Sequence, residues 1–241
     1  MNNKAQNNKN KNNTNSDKLI SKNIKALIIT NGIINDYNLI LKRIAEDYKF
    51  DENTLTIAAD GGARNCINMR IVPDLIIGDM DSITIKLMEN LKMNSKTIKF
   101  INTSPEKDES DTQLALDFAI NAGVKQVLVV GAIGGRIDHS LANLILLAAP
   151  NYNNADVRII TENSEIFMVK KSCSINGTIG KKISIFSLTP FTYFESTSGL
   201  KYRLKNERLY FSPVRGLSNE FIKTTAKISI GKGEILLFKE I

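Results

Sequence analysis

The stretch LTIAADGGARNCINMRIVPDLIIGDMDS, residues 55–82, decides the fold of this 241-residue chain. Two apolar runs, Leu55–Ala59 and Leu75–Gly78, have the length and composition of buried strands. Each run ends in a turn rich in glycine and aspartate, and the first turn is typical of a passage from a strand into a helix. A strand, a helical crossover and a second strand form the repeating unit of a parallel α/β sheet.

The same pattern continues on both sides of this stretch. Helical spacing of apolar residues follows Asp36, Asp111 and Asp138, and Pro150 closes the last of these segments. The other runs that predict strands are Ala26–Thr30, Thr97–Ile101, Gln126–Val130 and Val157–Thr161. Strands that alternate with helices predict a mainly parallel sheet with helices on its faces.

Beyond Ser164 the helical periods stop, and short apolar segments separated by Gly, Pro, Asn and Ser follow. The predicted strands there are Ile166–Val169, Ile183–Leu188, Leu209–Phe211, Lys227–Ile230 and Glu234–Phe238. We therefore expect an α/β domain over residues 23–155 and an all-β domain over residues 156–241. Residues 1–22 are rich in Asn and Lys, which predicts a disordered tail.

Composition excludes several classes of protein. With 42% hydrophobic and 24% charged residues, the chain is neither a collagen, a coiled-coil rod nor a wholly disordered protein. The net charge is +7, but the tail alone contributes +4, so the basic balance is no argument for a nucleic-acid partner. Two cysteines, no apolar run of membrane length and no signal peptide predict a cytoplasmic protein without a membrane partner.

Two acidic turns follow the strands of the opening stretch. Asp60, Gly61 and Gly62 follow the first strand, where the glycines allow a sharp turn and a close approach to a ligand. Asp79 and Asp81 follow the second, and two adjacent carboxylates suit a magnesium ion that also binds a polyphosphate. The structural alternative is a polar turn in each case, with an aspartate or Ser82 as helix cap.

A third acidic segment opens the helix after residue 110. Ser110 and Gln113 form a capping box, and acidic residues suit a helix N-terminus, so part of this segment has a structural explanation. The density of carboxylates, which includes Asp108 and Asp111, favours a second set of metal ligands.

A glycine-rich segment precedes the next helix. It contains Gly134, Gly135, Arg136, Asp138 and His139. Glycines ahead of a helix N-terminus form a phosphate-binding loop, and the arginine supplies a fork of donors. Asp138 also suits a helix cap, and a single histidine near a helix start is more often structural than catalytic. Together the four segments favour metal-assisted phosphoryl or nucleotidyl transfer.

In these segments the chain resembles the thiamine pyrophosphokinase family. The matching motifs, in order, are Ala59-Asp60-Gly61-Gly62, Pro73-Asp74-Leu75, Gly78-Asp79-Met80-Asp81-Ser82, Asp108-Glu109-Ser110-Asp111-Thr112, Gly134-Gly135-Arg136-Ile137-Asp138-His139, Ser198-Gly199-Leu200-Lys201-Tyr202 and Leu217-Ser218-Asn219-Glu220. The resemblance covers the chain from about residue 24 to its end and departs from the family pattern at Arg64 and Arg203.

The resemblance implies that pyrophosphate passes from ATP to the thiamine hydroxyl with magnesium assistance, in a homodimer whose thiamine sites lie between subunits. It also implies a Rossmann-like three-layer α/β domain and a β-sandwich domain. The implied magnesium ligands and catalytic residues are Asp79, Asp81 and Asp111. The implied nucleotide contacts are Asp60, Gly61, Gly62, Asp108, Ser110, Gly134, Gly135, Arg136, Asp138 and His139. The implied thiamine contacts are Tyr202, Ser218 and Asn219.

Three other functions compete with this interpretation. A haloacid-dehalogenase-like phosphatase would use Asp79 as nucleophile and Asp81 as acid, but that chemistry leaves the Gly-Gly-Arg-Ile-Asp-His segment without a role. A glycosyltransferase would use the same pair to hold a nucleotide-sugar diphosphate. A non-catalytic nucleotide sensor or RNA-associated protein would use the basic tail. Deletion of residues 1–22 separates these alternatives, because an enzyme keeps its activity without the tail.

Overall fold

The structure is a computed structural model that describes residues 25–79, 98–104 and 106–241. The tail 1–22 and Asp81 lie outside the described residues. The elements of the first part are β1 (Lys25–Ile29), α1 (Tyr37–Lys42), β2 (Leu55–Ala59), α2 (Gly62–Asn68), β3 (Leu75–Gly78), β4 (Lys99–Asn102), α3 (Asp111–Asn121), β5 (Gln126–Val130), α4 (Ile137–Leu146) and β6 (Asp156–Ile160). A π-helical turn, Arg43–Asp47, extends α1, and a 3₁₀ turn, Pro150–Tyr152, follows α4.

From Ser164 to Glu240 every regular element is a strand. These elements are β7 (Ser164–Val169), β8 (Cys173–Asn176), β9 (Lys182–Ser187), β10 (Phe191–Ser198), β11 (Lys205–Tyr210), β12 (Asn219–Glu220), β13 (Thr225–Lys232) and β14 (Ile235–Glu240). The sequence predicts β7, β9, β11, β13 and β14 but not the other three. β10 escapes prediction because Thr, Glu and Ser interrupt its apolar residues.

One ten-stranded mixed sheet runs through the molecule in the order β12-β9-β14-β7-β6-β5-β1-β2-β3-β4. The six strands from β4 to β6 are parallel, with Ile28 of β1 level with Ile57 of β2 and Val129 of β5. β7 joins β6 antiparallel, and the remaining strands continue antiparallel. The sheet is therefore continuous across residue 155.

Helices cover both faces of the parallel strands, because alternate residues of a strand point to opposite faces. Ala26 and Ile28 of β1 belong to the cluster that contains Leu116 of α3. Leu27 and Ile29 belong to the cluster that contains Ile40 of α1 and Cys66 of α2. Burial on both faces explains why β1, β2 and β5 read as continuous apolar runs.

A second, four-stranded antiparallel sheet packs on the antiparallel part of the large one, in the order β11-β10-β13-β8. Phe194 of β10 and Ile228 of β13 share a buried cluster with Ile183 of β9 and Leu237 of β14. The chain thus forms two packed β layers after Ser164. Among the described residues, no helix is long and apolar enough to span a lipid bilayer.

Candidate active site

A cavity of about 620 Å³ opens at the carboxyl ends of the parallel strands. From β1 the chain adds β2, β3 and β4 on one side of the sheet, and it then returns to add β5 and β6 on the other side of β1. The direction in which strands are added therefore reverses between β1 and β5. Such a reversal leaves a crevice at the strand ends, which is where open α/β sheets bind ligands. The described lining of this crevice comes from the loops after β1, β2, β3 and β5 and from the starts of α3 and α4.

The loops after β1 and β5 pack backbone against backbone at the centre of the crevice. The amide of Gly32 donates to the carbonyl oxygen of Gly131 at 2.7 Å. A Cβ on Gly32 would lie 2.1 Å from that oxygen, so a side chain has no room there. Gly131 has a φ of +68°, a conformation that favours glycine. These two glycines let the loops form the floor of the crevice.

Asn65 of α2 anchors the loop after β1 through side-chain hydrogen bonds to its backbone. Its Nδ2 donates to the carbonyl oxygens of Thr30 at 2.7 Å and Gly32 at 3.0 Å. Its Oδ1 accepts from the hydroxyl of Tyr37 at 2.9 Å. Asn65 is buried, so its amide has protein partners in place of water.

Three aspartates belong to the lining of the crevice, Asp60, Asp79 and Asp111, and we call them the acidic wall. Asp60 has a φ of +44°, a conformation that is uncommon for a residue with a side chain. Its backbone amide donates to the carbonyl oxygen of Ile77 at 2.7 Å, which ties the end of β2 to β3. Strained backbone of this kind concentrates at functional sites. Of the six aspartates that the sequence singles out at strand ends and helix starts, Asp60, Asp79 and Asp111 line the crevice, Asp108 and Asp138 do not belong to its described lining, and Asp81 lies outside the described residues.

Lys107 faces Asp111 across the start of α3. Its Nζ lies 2.6 Å from Asp111 Oδ1 and 2.6 Å from Thr103 Oγ1. The side chains of Lys107 and Asp111 are 15% and 26% exposed, so this ion pair is partly shielded from water. A cation that binds Asp111 therefore competes with Lys107.

The donor set of the acidic wall fits magnesium together with a polyphosphate. Among the described residues, no three His, Cys, Asp or Glu side chains come close enough to hold an ion by themselves. Magnesium does not require such a cage, because it binds one or two carboxylates and completes its shell with water and substrate phosphates. Asp60, Asp79 and Asp111 supply carboxylates to the lining of the crevice.

The loop of Gly134, Gly135 and Arg136 also lines the crevice, as does His139, and we call it the glycine-rich wall. Both glycines have positive φ, at +102° and +74°. Ser140 closes the loop, since its hydroxyl accepts from the Gly134 amide and donates to the Arg136 carbonyl, both at 3.0 Å. The loop is exposed and precedes α4, as the sequence predicts for a phosphate-binding turn.

Arg136 pairs with Asp138 in this structure. Arg136 Nε donates to Asp138 Oδ1 at 3.1 Å and Arg136 Nη2 to Oδ2 at 2.5 Å. These hydrogen bonds and the attraction between the charges lower the pKa of Asp138 and raise the pKa of Arg136. Arg136 lines the crevice while Asp138 stands outside the described lining. Asp138 does not cap α4, whose N-cap is Arg136.

The remaining nucleotide candidates have different positions. Ser110 lines the crevice and caps α3, accepting from the Gln113 amide at 3.2 Å. Asp108 does not belong to the described lining. Gly61 and Gly62 do not line the crevice either. A Cβ on Gly61 would meet the Asn31 side chain at 2.5 Å, and one on Gly62 the Ile29 carbonyl oxygen at 2.0 Å. These two glycines therefore permit close packing against the end of β1.

A second cavity, of about 320 Å³, lies in the β part of the chain, with Tyr202, Leu217 and Asn219 in its lining. Ser218, which lies between Leu217 and Asn219 in the sequence, has a φ of +56° and does not belong to the described lining. Its backbone amide donates to Ser184 Oγ at 3.0 Å. The described residues that line this cavity and those that line the crevice have no member in common.

The sequence singles out neither Asn65, the loop Thr30-Asn31-Gly32 nor the pairing of Lys107 with Asp111. Asn31 and Gly32 follow an apolar strand, which is the signal that identifies the other turns. Asn65 carries no such signal, because its contact with the loop after β1 depends on how α2 packs.

Comparisons with known proteins agree across both parts of the chain. Residues 47–160 match the family model described as the catalytic domain of thiamin pyrophosphokinase. Residues 168–235 match the model described as its vitamin B1 binding domain. The chain is 29% identical over 191 residues to a thiamine pyrophosphokinase from Bacillus subtilis, covering 78% of this chain and 88% of that protein.

Solved structures give the same result. A thiamine pyrophosphokinase from Bacillus subtilis superposes with a TM-score of 0.78 at 26% identity, covering 90% of this chain and 98% of the other. A thiamin pyrophosphokinase family protein from Enterococcus faecalis superposes with a TM-score of 0.76 at 26% identity, covering 90% and 99%.

Proposed function

This chain belongs to the thiamin pyrophosphokinase family, and from that premise we propose that it transfers the pyrophosphoryl group of ATP to thiamine, giving thiamine diphosphate and AMP. The observation that carries this function is the presence of both family domains, in order, on one chain. The acidic and glycine-rich walls of the crevice supply the chemistry that such a transfer needs.

We place ATP in the crevice of the Rossmann-like α/β domain, residues 23–155. The backbone amides of Gly134 and Gly135 suit phosphate oxygens, since both glycines lie just ahead of α4. Arg136 adds a guanidinium, which would release the carboxylate of Asp138 and bind a phosphate instead. Of the other nucleotide candidates, Ser110 and His139 line the same crevice, and Gly61 and Gly62 act on its shape through their packing against the end of β1. Asp108, which does not belong to the described lining, stays a nucleotide contact that the resemblance implies.

Asp79 and Asp111 would hold magnesium in this crevice. The resemblance adds Asp81, which lies outside the described residues, to the same set of ligands. The ion would supply charge neutralisation of the triphosphate. Lys107, which pairs with Asp111 at 2.6 Å, is placed to turn to a phosphate oxygen when a cation takes the carboxylate.

In the reaction, the hydroxyl oxygen of thiamine forms a bond to the β-phosphorus of ATP. The bond from that phosphorus to the oxygen shared with the α-phosphate breaks, and AMP leaves with this oxygen. The hydroxyl proton passes to one of the carboxylates on the acidic wall. Positioning and charge neutralisation carry most of the catalysis of such a transfer.

Thiamine binds to the β-sandwich domain, residues 156–241, at the cavity next to Tyr202. Tyr202 is 62% exposed, which suits stacking of its ring on a flat heterocycle that carries a positive charge. The resemblance assigns Ser218 and Asn219 to thiamine contacts, and Asn219 belongs to the lining of this cavity.

A homodimer brings the two cavities together. Their described linings are separate within one chain, yet the thiamine hydroxyl must reach an ATP phosphate. Each chain also exposes an apolar stripe on α4, made by Ile137, Leu141 and Ile145, which are 85%, 55% and 56% exposed. Exposed apolar stripes of this kind mark interfaces. Each active site thus takes its crevice from one copy and its thiamine cavity from the other.

A cytoplasmic location stays a prediction of the sequence.

A heterodimer of two inactive variants tests this arrangement. One chain carries Asp79→Asn and the other carries Tyr202→Ala with Ser218→Ala; different affinity tags allow the mixed dimer to be isolated after co-expression. The mixed dimer has one intact site of two, so we expect about half the wild-type AMP formation per dimer. Sites contained within single chains would leave the mixed dimer inactive, and failure to isolate any mixed dimer would contradict the homodimer.

A further inference from the structure

The side chain of Asn219 is already committed to the backbone of Tyr202. Asn219 Oδ1 accepts from the Tyr202 amide at 2.9 Å and from the Glu220 amide at 2.9 Å. Its Nδ2 donates to the Tyr202 carbonyl oxygen at 2.7 Å. Asn219 is only 8% exposed. Three of the four hydrogen bonds that an asparagine amide offers are therefore made within the chain.

Tyr202 differs from Asn219 in its exposure: its backbone is hydrogen-bonded, whereas its side chain is exposed to solvent. Asn219 bonds both the amide and the carbonyl of Tyr202, as a neighbouring strand would. The ring has Lys201 Nζ at 5.8 Å from its centre and otherwise faces the surface, as its high exposure shows.

The segment around Tyr202 is anchored on both sides as well. Before it, Leu200 forms a β-bridge with Phe221, and both side chains are fully buried. After it, the amide of Leu204 donates to Thr197 Oγ1 at 2.8 Å. Between these anchors, the amide of Lys201 donates to the Glu220 carbonyl oxygen at 2.9 Å, and the Asn219 side chain bonds both peptide groups of Tyr202. An aromatic ring on a fixed backbone loses little conformational freedom when it stacks on a ligand.

We propose that Asn219 is a positioning residue, which acts on thiamine through Tyr202 instead of serving as a main thiamine contact. By holding the backbone of Tyr202, it presets the ring at the edge of the 320 Å³ cavity. This inference rests on the proposed function, since the ring is preset for the heterocycle of thiamine. It predicts that the effect of Asn219 on thiamine disappears when the Tyr202 ring is removed.

A double-mutant cycle with kinetic readouts tests the proposal. Asn219→Ala is expected to raise the KM for thiamine roughly tenfold, as the loss of backbone hydrogen bonds implies, and to leave the KM for ATP unchanged. In a Tyr202→Ala background, the same substitution is expected to leave the KM for thiamine unchanged. Asn219→Asp, which keeps Oδ1 but loses the Nδ2 donor, carries the test if the alanine variant does not fold.

The matched control is Thr192→Val, at a distant buried polar residue of the same two β layers. The Thr192 hydroxyl lies 2.8 Å from Ser187 Oγ and donates to the Glu234 carbonyl at 3.0 Å. This variant is expected to lose stability without a change in either KM, which separates positioning from general destabilisation.

The outcomes distinguish this inference from the proposed function. An equal rise of the thiamine KM with and without the Tyr202 ring would overturn positioning and make Asn219 a direct contact. An unchanged thiamine KM in Asn219→Ala and Asn219→Asp, in a protein that makes AMP with thiamine, would overturn the inference and leave the function standing. A wild-type chain that forms no AMP with thiamine would overturn both.

Discussion

Asp79→Asn is expected to reduce thiamine-dependent AMP formation about 10³-fold while the protein stays folded. Asp79 follows β3 directly and lines the acidic wall of the crevice. An amide in its place keeps the shape of the side chain but removes the charge that offsets a triphosphate, and a loss of this size is typical when a group that stabilises developing charge is removed. The measurement is AMP production with saturating ATP, magnesium and thiamine.

Asp74→Asn is the matched control for this variant, because Asp74 precedes the same strand at its opposite end. Its Oδ2 accepts from the Thr56 amide at 2.9 Å, a role that an asparagine oxygen also fills. We expect nearly wild-type AMP formation and a small loss of stability. Normal turnover in Asp79→Asn, or an equal loss in both variants, would refute the assignment of Asp79 to the acidic wall's chemistry.

Gly32→Ala is expected to destabilise the chain by about 3 kcal/mol or more and to abolish ATP binding. The new Cβ would lie 2.1 Å from the Gly131 carbonyl oxygen and 2.8 Å from the Ile133 carbonyl oxygen. Both neighbours are backbone atoms at the centre of the crevice, so the loops after β1 and β5 would have to separate. Urea unfolding and calorimetric ATP binding measure the two effects.

Gly123→Ala serves as the comparison for backbone strain alone. Gly123 has a φ of +85°, and a Cβ added to it would meet no atom within 4 Å beyond its chain neighbours. It lies just after α3, so alanine there is expected to cost about 1–2 kcal/mol and to leave ATP binding intact. If Gly32→Ala behaved like Gly123→Ala, close packing of the two loops would not be what shapes the crevice.

Local sequence signals predict the parallel part of the fold well. β2, β3 and β5 have the predicted bounds, since strands buried on both faces read as unbroken apolar runs. Ser110 caps α3 as its spacing to Gln113 predicts. These signals do not predict that one sheet runs through both parts of the chain. The antiparallel pairing of β7 with β6, which joins the two parts, is a tertiary contact that leaves no periodic pattern in the sequence.

The candidate site divides in the same way. The sequence places Asp60, Asp79 and Asp111 at strand ends and a helix start, and a parallel sheet brings such positions to one edge. It does not show that the Asn219 side chain bonds the backbone of Tyr202, because that depends on the contact between strand β12 and a turn 17 residues before it. Resemblance alone assigns Asn219 to the ligand, whereas the hydrogen bonds assign it to the tyrosine.

The most direct test of this account is a coupled assay of AMP formation from ATP and magnesium, with and without thiamine. We expect AMP to form only when thiamine is present, with thiamine diphosphate confirmed by mass. Release of phosphate without thiamine would indicate a phosphatase, and no nucleotide turnover under either condition would indicate a binding protein. Either result would contradict the assignment of this crevice to pyrophosphoryl transfer.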